Sequence, residues 1–301
     1  MIYKKFRMRI VTSKFLRAVV PKFIHKVLLK RAVRSSIFTY YSNLPTPPDS
    51  EIETVLDYLR KKAVTNFPYY ALDKYIPTDI KVFSDKEKGL KYVLLDGKRL
   101  YFKKKWNKLR IKKAFNGLLK DQDPVCPHCY ENGDFKIDQG DVLVDVGAAE
   151  GNFALSVIEK VSKVILFESD ERWVEALNAT FEPWKEKVTI IRKFVGDITN
   201  EGFTTLDDFF AENEKVSFLK IDVEGAEMQL IKGAKRILQN TNHLKLAICT
   251  YHKQEDEKLF TEILRNHGFE TSHSDGYILM YHDPRLQPPY FRRGLIRAVK
   301  H

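Results

Sequence analysis

From residue 135 onward, the chain alternates between two patterns of apolar and polar positions. Short continuous apolar runs are typical of strands that are buried on both faces of a sheet. Such runs occupy residues 142–146, 163–168, 188–192, 216–222 and 244–250. Between the runs, apolar residues recur every three or four positions. This spacing predicts helices at 171–181, 227–238 and 255–267, among others.

The end of this region departs from the alternation. Two strands are predicted in succession, at 269–272 and 277–281, with a short turn between them. Strands that alternate with helices form parallel sheets, whereas a closing hairpin adds an antiparallel edge. The pattern therefore predicts an α/β fold with a doubly wound, mostly parallel seven-stranded sheet and an antiparallel edge hairpin.

A smaller α+β pattern precedes the sheet. A helix is predicted to begin near Glu51, capped by Asp49 or Ser50, and a second helix is predicted at 106–120. Between them, the Asp96-Gly97 turn separates two strand patterns, which predicts a β-hairpin. This N-terminal accessory region is rich in aromatic residues, which suit either a substrate wall or a core. The sequence leaves both interpretations open.

The first residues form a basic amphipathic segment. Residues 1–48 hold 11 lysines and arginines and no acid, and residues 16–28 place apolar side chains at helical spacing. Such a segment lies on an anionic membrane surface, or it packs on the body with its lysines in solvent. We keep both interpretations, and the first assigns residues 1–34 to a membrane. The predicted organisation is an N-terminal segment and linker at 1–48, the accessory region at 49–134, the sheet domain at 135–283 and a basic C-terminal tail at 284–301.

The formal net charge of +11 belongs to this N-terminal segment. Of the 51 basic residues, 11 lie there, which leaves 40 against the 40 acids of the chain. A neutral body argues against nucleic acid as a partner, because such a body needs its own basic face. Three cysteines make no disulfide framework, which fits the reducing cytoplasm. Residues 1–36 contain no apolar run long enough for a membrane span, so we expect a cytoplasmic protein that is peripheral on the membrane face.

The first candidate site is the turn after the strand at 142–146. Glycines at 147 and 151 flank alanines at 148 and 149, and a helix pattern follows. Small residues between a strand and a helix let backbone N–H groups approach a ligand. Glu168 ends the next strand, 17 residues after Gly151, where a carboxylate binds ribose hydroxyls. The turn lacks the G-x-G-x-x-G spacing of a dinucleotide site.

The octapeptide Lys220-Ile-Asp-Val-Glu-Gly-Ala-Glu227 follows this unit. Together they resemble the FkbM family of S-adenosylmethionine-dependent methyltransferases over about residues 135–282. The resemblance implies a class I, Rossmann-like methyltransferase fold, S-adenosyl-L-methionine as cofactor, and O-methylation. The turn and the terminal Pro288–Arg297 are similar to a bacterial branch found with surface-polysaccharide genes. This implies a sugar hydroxyl of a cell-surface glycan, or of its lipid-linked or nucleotide-linked precursor. No oligomeric state is predicted.

The resemblance and the strand ends together name the site residues. The predicted cofactor-binding residues are Asp145, Gly147, Ala148, Glu150, Gly151, Asn152, Glu168, Ser169 and Asp197. Ala149 stands where the family commonly has Asn, so Glu150 is the candidate for the cofactor's ammonium group. The predicted catalytic residues are Asp222, His252 and Glu224, which follow two neighbouring strands. Histidine suits a general base because it titrates near neutral pH.

No metal is predicted in the site. A magnesium ion held by Asp197, Asp222 and Glu224 is the less favoured alternative, because no paired-carboxylate motif fixes it. The segment Cys126-Pro-His-Cys129 is interpreted as an ordinary loop, since no second pair of zinc ligands is visible.

Two other functions fit part of the sequence. An NAD-dependent oxidoreductase acting on sugars would use the same first unit, but the chain lacks its glycine spacing and its catalytic pair. A non-catalytic scaffold for glycan assembly on the membrane would explain the basic N-terminus but not the polar strand ends.

Overall fold

The computed structural model describes residues 21–210 and 215–301. The predicted amphipathic segment therefore lies partly outside the described residues. The first elements are α1 (Lys22–Tyr41), α2 (Ser50–Lys61), β1 (Phe83–Asp85), β2 (Leu90–Leu95), β3 (Lys98–Phe102) and α3 (Lys108–Asp121), with 3-10 turns at Tyr70–Lys74 and Pro77–Asp79. The predicted hairpin is confirmed as β2 and β3, and Asp49 caps α2 by accepting from the Ile52 amide.

The second half supplies the elements of the main sheet and its helices. They are β4 (Val142–Val146), α4 (Asn152–Val157), β5 (Lys163–Phe167), α5 (Glu171–Phe181), β6 (Val188–Ile191), β7 (Phe194–Val195), β8 (Phe203–Thr204), α6 (Leu206–Phe209), β9 (Phe218–Ile221), α7 (Glu227–Lys232), α8 (Lys235–Asn240), β10 (Leu244–Cys249), α9 (Asp256–Asn266), β11 (Glu270–His273) and β12 (Leu295–Lys300). A 3-10 turn at Glu182–Trp184 follows α5.

Seven of these strands form one sheet in the order β11-β12-β10-β9-β4-β5-β6. The strand pairs from β10 through β6 are parallel, and β12 runs antiparallel between β10 and β11. This arrangement is the class I methyltransferase, Rossmann-like fold that the resemblance implies. It places the carboxyl ends of β4, β5, β9 and β10 along the same edge, where open parallel sheets bind their ligands.

The antiparallel strand is not the predicted one. Residues 277–281 form no strand, and Ile278 makes only an isolated bridge with Arg292. The strand is β12, inside the segment predicted as a basic tail, so that prediction is wrong for residues 295–300. Its Arg297 is buried and donates to the carbonyls of Cys129 and Tyr130. A charged residue enters a core when such acceptors satisfy it, and sequence spacing gives no sign of them.

The predicted helix at 227–238 is also divided. α7 ends at Lys232 and α8 begins at Lys235. Between them lies Gly233, where an added Cβ would overlap the carbonyl of Gly196. The close approach of the loop after β7 therefore fixes both the glycine and the break in the helix.

The sheet is covered on both faces. Apolar residues of α4, α5 and the β2–β3 hairpin form a core on one face, and those of α7, α8 and α9 form a core on the other. The accessory hairpin thus packs directly against the sheet domain. The amide of Tyr101, for example, donates to the buried Thr180 hydroxyl.

Helix α1 packs on the body through Leu29, Val33, Ile37 and Tyr41, against α2 and the segment 279–291. Its first turns differ, because Phe23, Ile24 and Leu28 are exposed. Of the two interpretations of the N-terminal segment, packing on the body therefore holds for the later part of α1. No helix among residues 21–210 and 215–301 is long and apolar enough to cross a membrane.

Candidate active site

The turn after β4 sits against the neighbouring strand end. Gly147 has φ +78°, and an added Cβ would overlap the backbone carbonyl of Asp222. The amides of Gly147 and Ala148 donate to the carbonyl of Phe167, at the end of β5. Three strand ends therefore meet here with no side chain between them. The turn is therefore a close approach between backbones of the chain itself, and its approach to a ligand stays a prediction.

A buried ion pair between Asp145 and Lys220 lies next to the turn. Asp145 Oδ1 and Lys220 Nζ lie 2.8 Å apart, and both side chains are almost fully buried. The same amine donates to the carbonyl of Gly147 at 2.7 Å. Burial opposes the charge of Lys220, but Asp145 and Asp222 outweigh it and raise the pKa of the amine. Asp145, predicted to bind the cofactor, is thus positioned to act on the turn through Lys220.

Glu168 lies beside the turn, as predicted. Its Oε2 accepts from the amide of Ala149 at 2.9 Å, and its Oε1 accepts from that of Asp170 at 2.7 Å. A carboxylate accepts about four hydrogen bonds, so both oxygens keep capacity for ribose hydroxyls. The carboxylate also holds Ala149 at φ +44°, a backbone conformation that is unusual for a residue with a side chain.

The other predicted cofactor residues lie in the turn after β4 and in the loops after β5 and β7. Burial raises the pKa of Glu150 to about 7, and nearby Lys103 partly opposes the shift. Lys103 comes from the end of the accessory hairpin and pairs with Asp170 at 2.8 Å. Ala148 is buried, while Asn152 and Ser169 are half-buried at the starts of α4 and α5. Asp197 is exposed in the loop after β7.

Asp222, at the end of β9, is the centre of the second half of the site. Its Oδ1 accepts from the hydroxyl of Tyr251 at 3.1 Å, and its Oδ2 accepts from that of Tyr130 at 3.1 Å. Burial opposes its ionisation. The hydrogen bond and charge of His128, with Lys220 and His252, outweigh this and hold its pKa well below the usual range. Asp222 is therefore a carboxylate at all working pH values.

His252 follows β10 and lies among three carboxylates. Its Nδ1 is 2.8 Å from Glu227 Oε1, and its Nε2 is 3.6 Å from Glu224 Oε2 and 3.7 Å from Asp222 Oδ1. Burial would lower the pKa of His252, but Glu224 and Glu227, with Asp222, outweigh it and raise it to about 10. At neutral pH the ring is therefore a cation, which does not suit the predicted role of general base.

The two flanking acids differ in exposure. Glu227 is fully buried and accepts from the amides of Val223 and Gly225, whereas the side chain of Glu224 is 92% exposed. Glu227 is thus a fixed partner of His252, and Glu224 marks the mouth of the cleft.

The accessory region contributes two side chains that sequence reasoning did not assign to the site. His128 Nε2 lies 3.4 Å from Asp222 Oδ2 and 3.3 Å from the Tyr251 hydroxyl, and Tyr130 binds Asp222 directly. Burial would lower the pKa of His128, but Asp222 and Asp121 raise it. Cys126 and Cys129 are free thiols, and Cys129 Sγ donates to the carbonyls of Gln122 and Glu131. The histidine of the Cys126–Cys129 segment therefore contacts Asp222 and Tyr251 in the site, while its two cysteines are buried in the accessory region.

A sequence signal for these residues existed only in part. Tyr251 follows β10 and immediately precedes His252. The strand-end position that predicts a site role for His252 therefore predicts one for Tyr251 too. The Cys126–Cys129 segment holds two cysteines and a histidine in four residues, but this composition does not predict which strand end the segment contacts.

Two groups of side chains within the described ranges bring potential metal ligands within 4.8 Å of one another. They are Asp222, Glu227 and His252, and His128, Asp222 and Cys249. Asp197 belongs to neither group, so the set considered from the sequence is not assembled.

Comparison with known proteins gives one family match. Residues 179–271 match the model of the methyltransferase FkbM domain. The matched part contains Asp222, Glu224, Glu227 and His252, and the turn after β4 precedes it. No curated protein matches the chain.

Several solved structures are similar to the chain. Methyltransferase FkbM from Methylobacillus flagellatus KT has 18% sequence identity and a TM-score of 0.44, over 63% of this chain and 54% of its own. An rRNA methylase from Streptococcus thermophilus has 16% identity and a TM-score of 0.38, over 55% and 88%. Precorrin-6y C5,15-methyltransferase from Geobacter metallireducens GS-15 has 13% identity and a TM-score of 0.40, over 66% and 92%. The chain thus spans about half the length of the first of these.

Proposed function

We propose that this protein is an S-adenosylmethionine-dependent O-methyltransferase. Its proposed acceptor is a sugar hydroxyl of a cell-surface glycan, or of its lipid-linked or nucleotide-linked precursor. The observation that carries the proposal is the position of Asp222. Its backbone carbonyl lies against Gly147 of the turn, and its carboxylate lies at the centre of a polar cluster. One residue therefore joins the cofactor half and the acceptor half of the cleft.

The residues of the first half fit the cofactor. The carboxylates of Glu168 and Glu150 offer partners for its ribose and ammonium groups. S-Adenosylmethionine supplies an electrophilic methyl group on a positively charged sulfur. The carboxylates of Glu168 and Glu150 lie beside the turn, and in their ionised forms they favour the cationic groups of this ligand.

Asp222 is the residue we assign to the acceptor proton. Methyl transfer forms the new C–O bond as the C–S bond breaks, and the hydroxyl proton must then leave. A protonated ether is a very strong acid, so even a carboxylate of low pKa can take its proton. The His252 imidazolium, held by Glu227, fixes the position of Asp222 from one side, and Tyr130 fixes it from the other. Glu224 lies at the exposed mouth, where the acceptor enters.

Two observations support a sugar as acceptor. The turn and residues 288–297 resemble the surface-polysaccharide branch, and the half-buried Tyr251 offers an aromatic ring and a hydroxyl at the cluster. Sugars use both groups, because their C–H faces pack on rings and their hydroxyls need hydrogen-bond partners. A cytoplasmic location agrees with the small number of cysteines.

The test supplies purified protein with methyl-labelled S-adenosylmethionine and glycan extracted from the host surface, or its lipid-linked precursor. We expect label in a base-stable ether on a sugar, and its loss in Asp222→Asn. Label only in protein, lipid headgroup or nucleic acid would overturn the acceptor class. Calorimetric titration separates the alternatives, since NAD binding in place of S-adenosylmethionine binding would point to an oxidoreductase, and binding of neither would point to a scaffold.

A further inference from the structure

We infer that the first turns of α1 dock on an anionic membrane surface and hold the cleft mouth close to it, so that the acceptor is anchored in lipid. The docking stands on the observations below alone. The nature of the acceptor rests on the proposed function.

The apolar side chains at the start of α1 are not those that pack on the body. Phe23, Ile24 and Leu28 are 78%, 48% and 38% exposed. At 3.6 residues per turn they span an arc of about 140° around the helix. The packed residues Leu29, Val33 and Ile37 occupy a separate arc on the other side. The helix therefore has two apolar faces, and the described part of the protein covers only one of them.

The positive charge around the exposed apolar face of α1 favours an anionic membrane as its partner. Residues 1–34 hold 11 basic side chains and no acid, and the exposed Arg31 lies within the arc of the exposed apolar residues. Apolar side chains next to lysines and arginines are the composition of helices that lie in the interface of an anionic bilayer. Each basic residue near such a surface contributes to binding, and salt weakens the attraction. A nucleic acid would match the charge but would leave three large apolar side chains in water.

The same segment of the chain holds α1 and the cleft. The hydroxyl of Tyr41 donates to the carbonyl of Pro289 at 2.7 Å, and Lys30 Nζ lies 5.0 Å from the ring centroid of Tyr281. Burial lowers the pKa of His282, and the nearby Lys26 and Lys30 lower it further. The start of α1 is therefore close to residues 281–282.

An ion pair and two hydrogen bonds connect residues 281–283 to the end of β10. Asp283 Oδ2 lies 2.9 Å from Arg292 Nη1. That guanidinium donates to the carbonyls of Tyr251 at 2.8 Å and His252 at 3.0 Å. The helix face and the strand end that carries His252 are thus parts of one framework. An enzyme held in this way meets acceptors at headgroup level, which favours a sugar on a lipid anchor over a freely dissolved one.

The first test is co-sedimentation of the full chain with phosphatidylcholine vesicles, with or without phosphatidylglycerol. We expect binding that needs the anionic lipid and falls at high salt. Phe23→Ser with Leu28→Ser should lower the partition coefficient at least about tenfold, because two large apolar side chains no longer leave water. The matched control is Leu109→Ser on α3, which removes an apolar side chain that is 60% exposed elsewhere.

A second pair of variants tests the charge. Lys26→Glu with Arg31→Glu should weaken the dependence on anionic lipid, whereas Lys108→Glu with Lys113→Glu, exposed on α3, should leave it unchanged. Equal binding to neutral vesicles, or equal binding by the α1 variants and their controls, would overturn the docking. Binding of the same face to RNA with no binding to vesicles would overturn it too.

The orientation is tested with a fluorophore. Cys126, Cys129 and Cys249 are buried, so a cysteine introduced at the surface is labelled selectively. We expect a nitroxide on the lipid headgroup to quench label at Glu224→Cys more than label at Glu186→Cys. Glu224 follows β9 at the carboxyl edge of the parallel strands, whereas the exposed Glu186 precedes β6 at their amino edge. Equal quenching would refute the placement of the cleft at the membrane. None of these measurements uses S-adenosylmethionine, so their failure is distinct from failure of the proposed activity.

Discussion

The hydroxyl of Tyr130 donates to Asp222 Oδ2 at 3.1 Å, and this bond joins the accessory region to the carboxyl end of β9. The Tyr130 ring packs on Phe153 of α4, with centroids 5.0 Å apart. The backbone carbonyl of Tyr130 accepts from Arg297 of β12. Three parts of the chain therefore fix the position of this hydroxyl, so we expect the accessory region to take part in turnover as well as in packing.

Removal of this hydroxyl should slow turnover without unfolding the protein. A hydrogen bond to a charged acceptor contributes about 1.5–3 kcal/mol, so Tyr130→Phe should lower kcat by about tenfold to a hundredfold. The measurement is steady-state methyl transfer, with thermal unfolding measured in parallel. The control is Tyr58→Phe, whose hydroxyl donates to Asp73 at 2.8 Å away from the cleft. A normal kcat in Tyr130→Phe would remove this residue from the mechanism.

Glu168 should set the affinity for S-adenosylmethionine. A charged, bidentate hydrogen bond to ribose contributes about 1.5–3 kcal/mol, so Glu168→Ala should weaken binding about tenfold or more in calorimetry. The substitution also releases the amides of Ala149 and Asp170, so Glu168→Gln is the sharper variant because it keeps an acceptor oxygen. Glu182→Ala, an exposed acid that pairs with Lys88, is the control. Unchanged affinity in both Glu168 variants would refute the assignment.

Binding of the cofactor should depend on pH through Glu150. Burial raises the pKa of this carboxyl to about 7, and only its ionised form attracts an ammonium group. Affinity should therefore rise as the pH passes upward through 7, and binding near that pH should release a proton. Calorimetry in buffers of different ionisation enthalpy measures this release. Glu150→Gln should remove both effects, and persistence of the proton release in that variant would assign it to another group.

His252 should stabilise the fold most at low pH. Its pKa is raised to about 10 in the folded chain, against about 6.5 unfolded. The contribution is then complete below about pH 6.5, falls as the pH rises, and is lost above about pH 10. The difference in unfolding free energy between the wild type and His252→Gln should shrink by about 2 kcal/mol or more from pH 6 to pH 9 in urea titrations.

The kinetics supply a second check on His252. If His252 were the base, the rate would keep rising towards pH 10. If Asp222 takes the proton, the rate changes little from neutral pH to about pH 9. A rise that levels near pH 7 would contradict the charged state of His252.

The sequence predicted the parallel part of the fold because each strand there carries its own signal. The strands at 142–146, 163–167 and 244–249 are apolar on both faces, and the intervening helices repeat at their own period. The turn after β4 was predictable for the same reason. Its small residues and positive φ values are local properties of residues 147–151.

The antiparallel strand could not be found in this way. β12 contains Arg297, and its neighbour Arg292 is buried as well, so the segment resembles an exposed basic tail. What lets these residues enter the core is the set of carbonyls at Cys129, Tyr130 and Tyr251, which are distant in sequence. The two prolines and the aromatic residues near 290 gave no indication that the chain would return to the sheet.

By itself, then, the sequence determined the strands of the parallel sheet, the position of the turn and the strand-end acids Glu168 and Asp222, since periodicity and turn chemistry act over a few residues. The tertiary structure alone decided what those acids meet. His128 and Tyr130 contact Asp222 from a loop more than 90 positions away in the sequence. Three carboxylates surround His252 and make its ring a cation at neutral pH, where a neutral base was expected. Burial and charge at a site depend on distances in space, and a residue pattern does not contain those distances before the chain has folded.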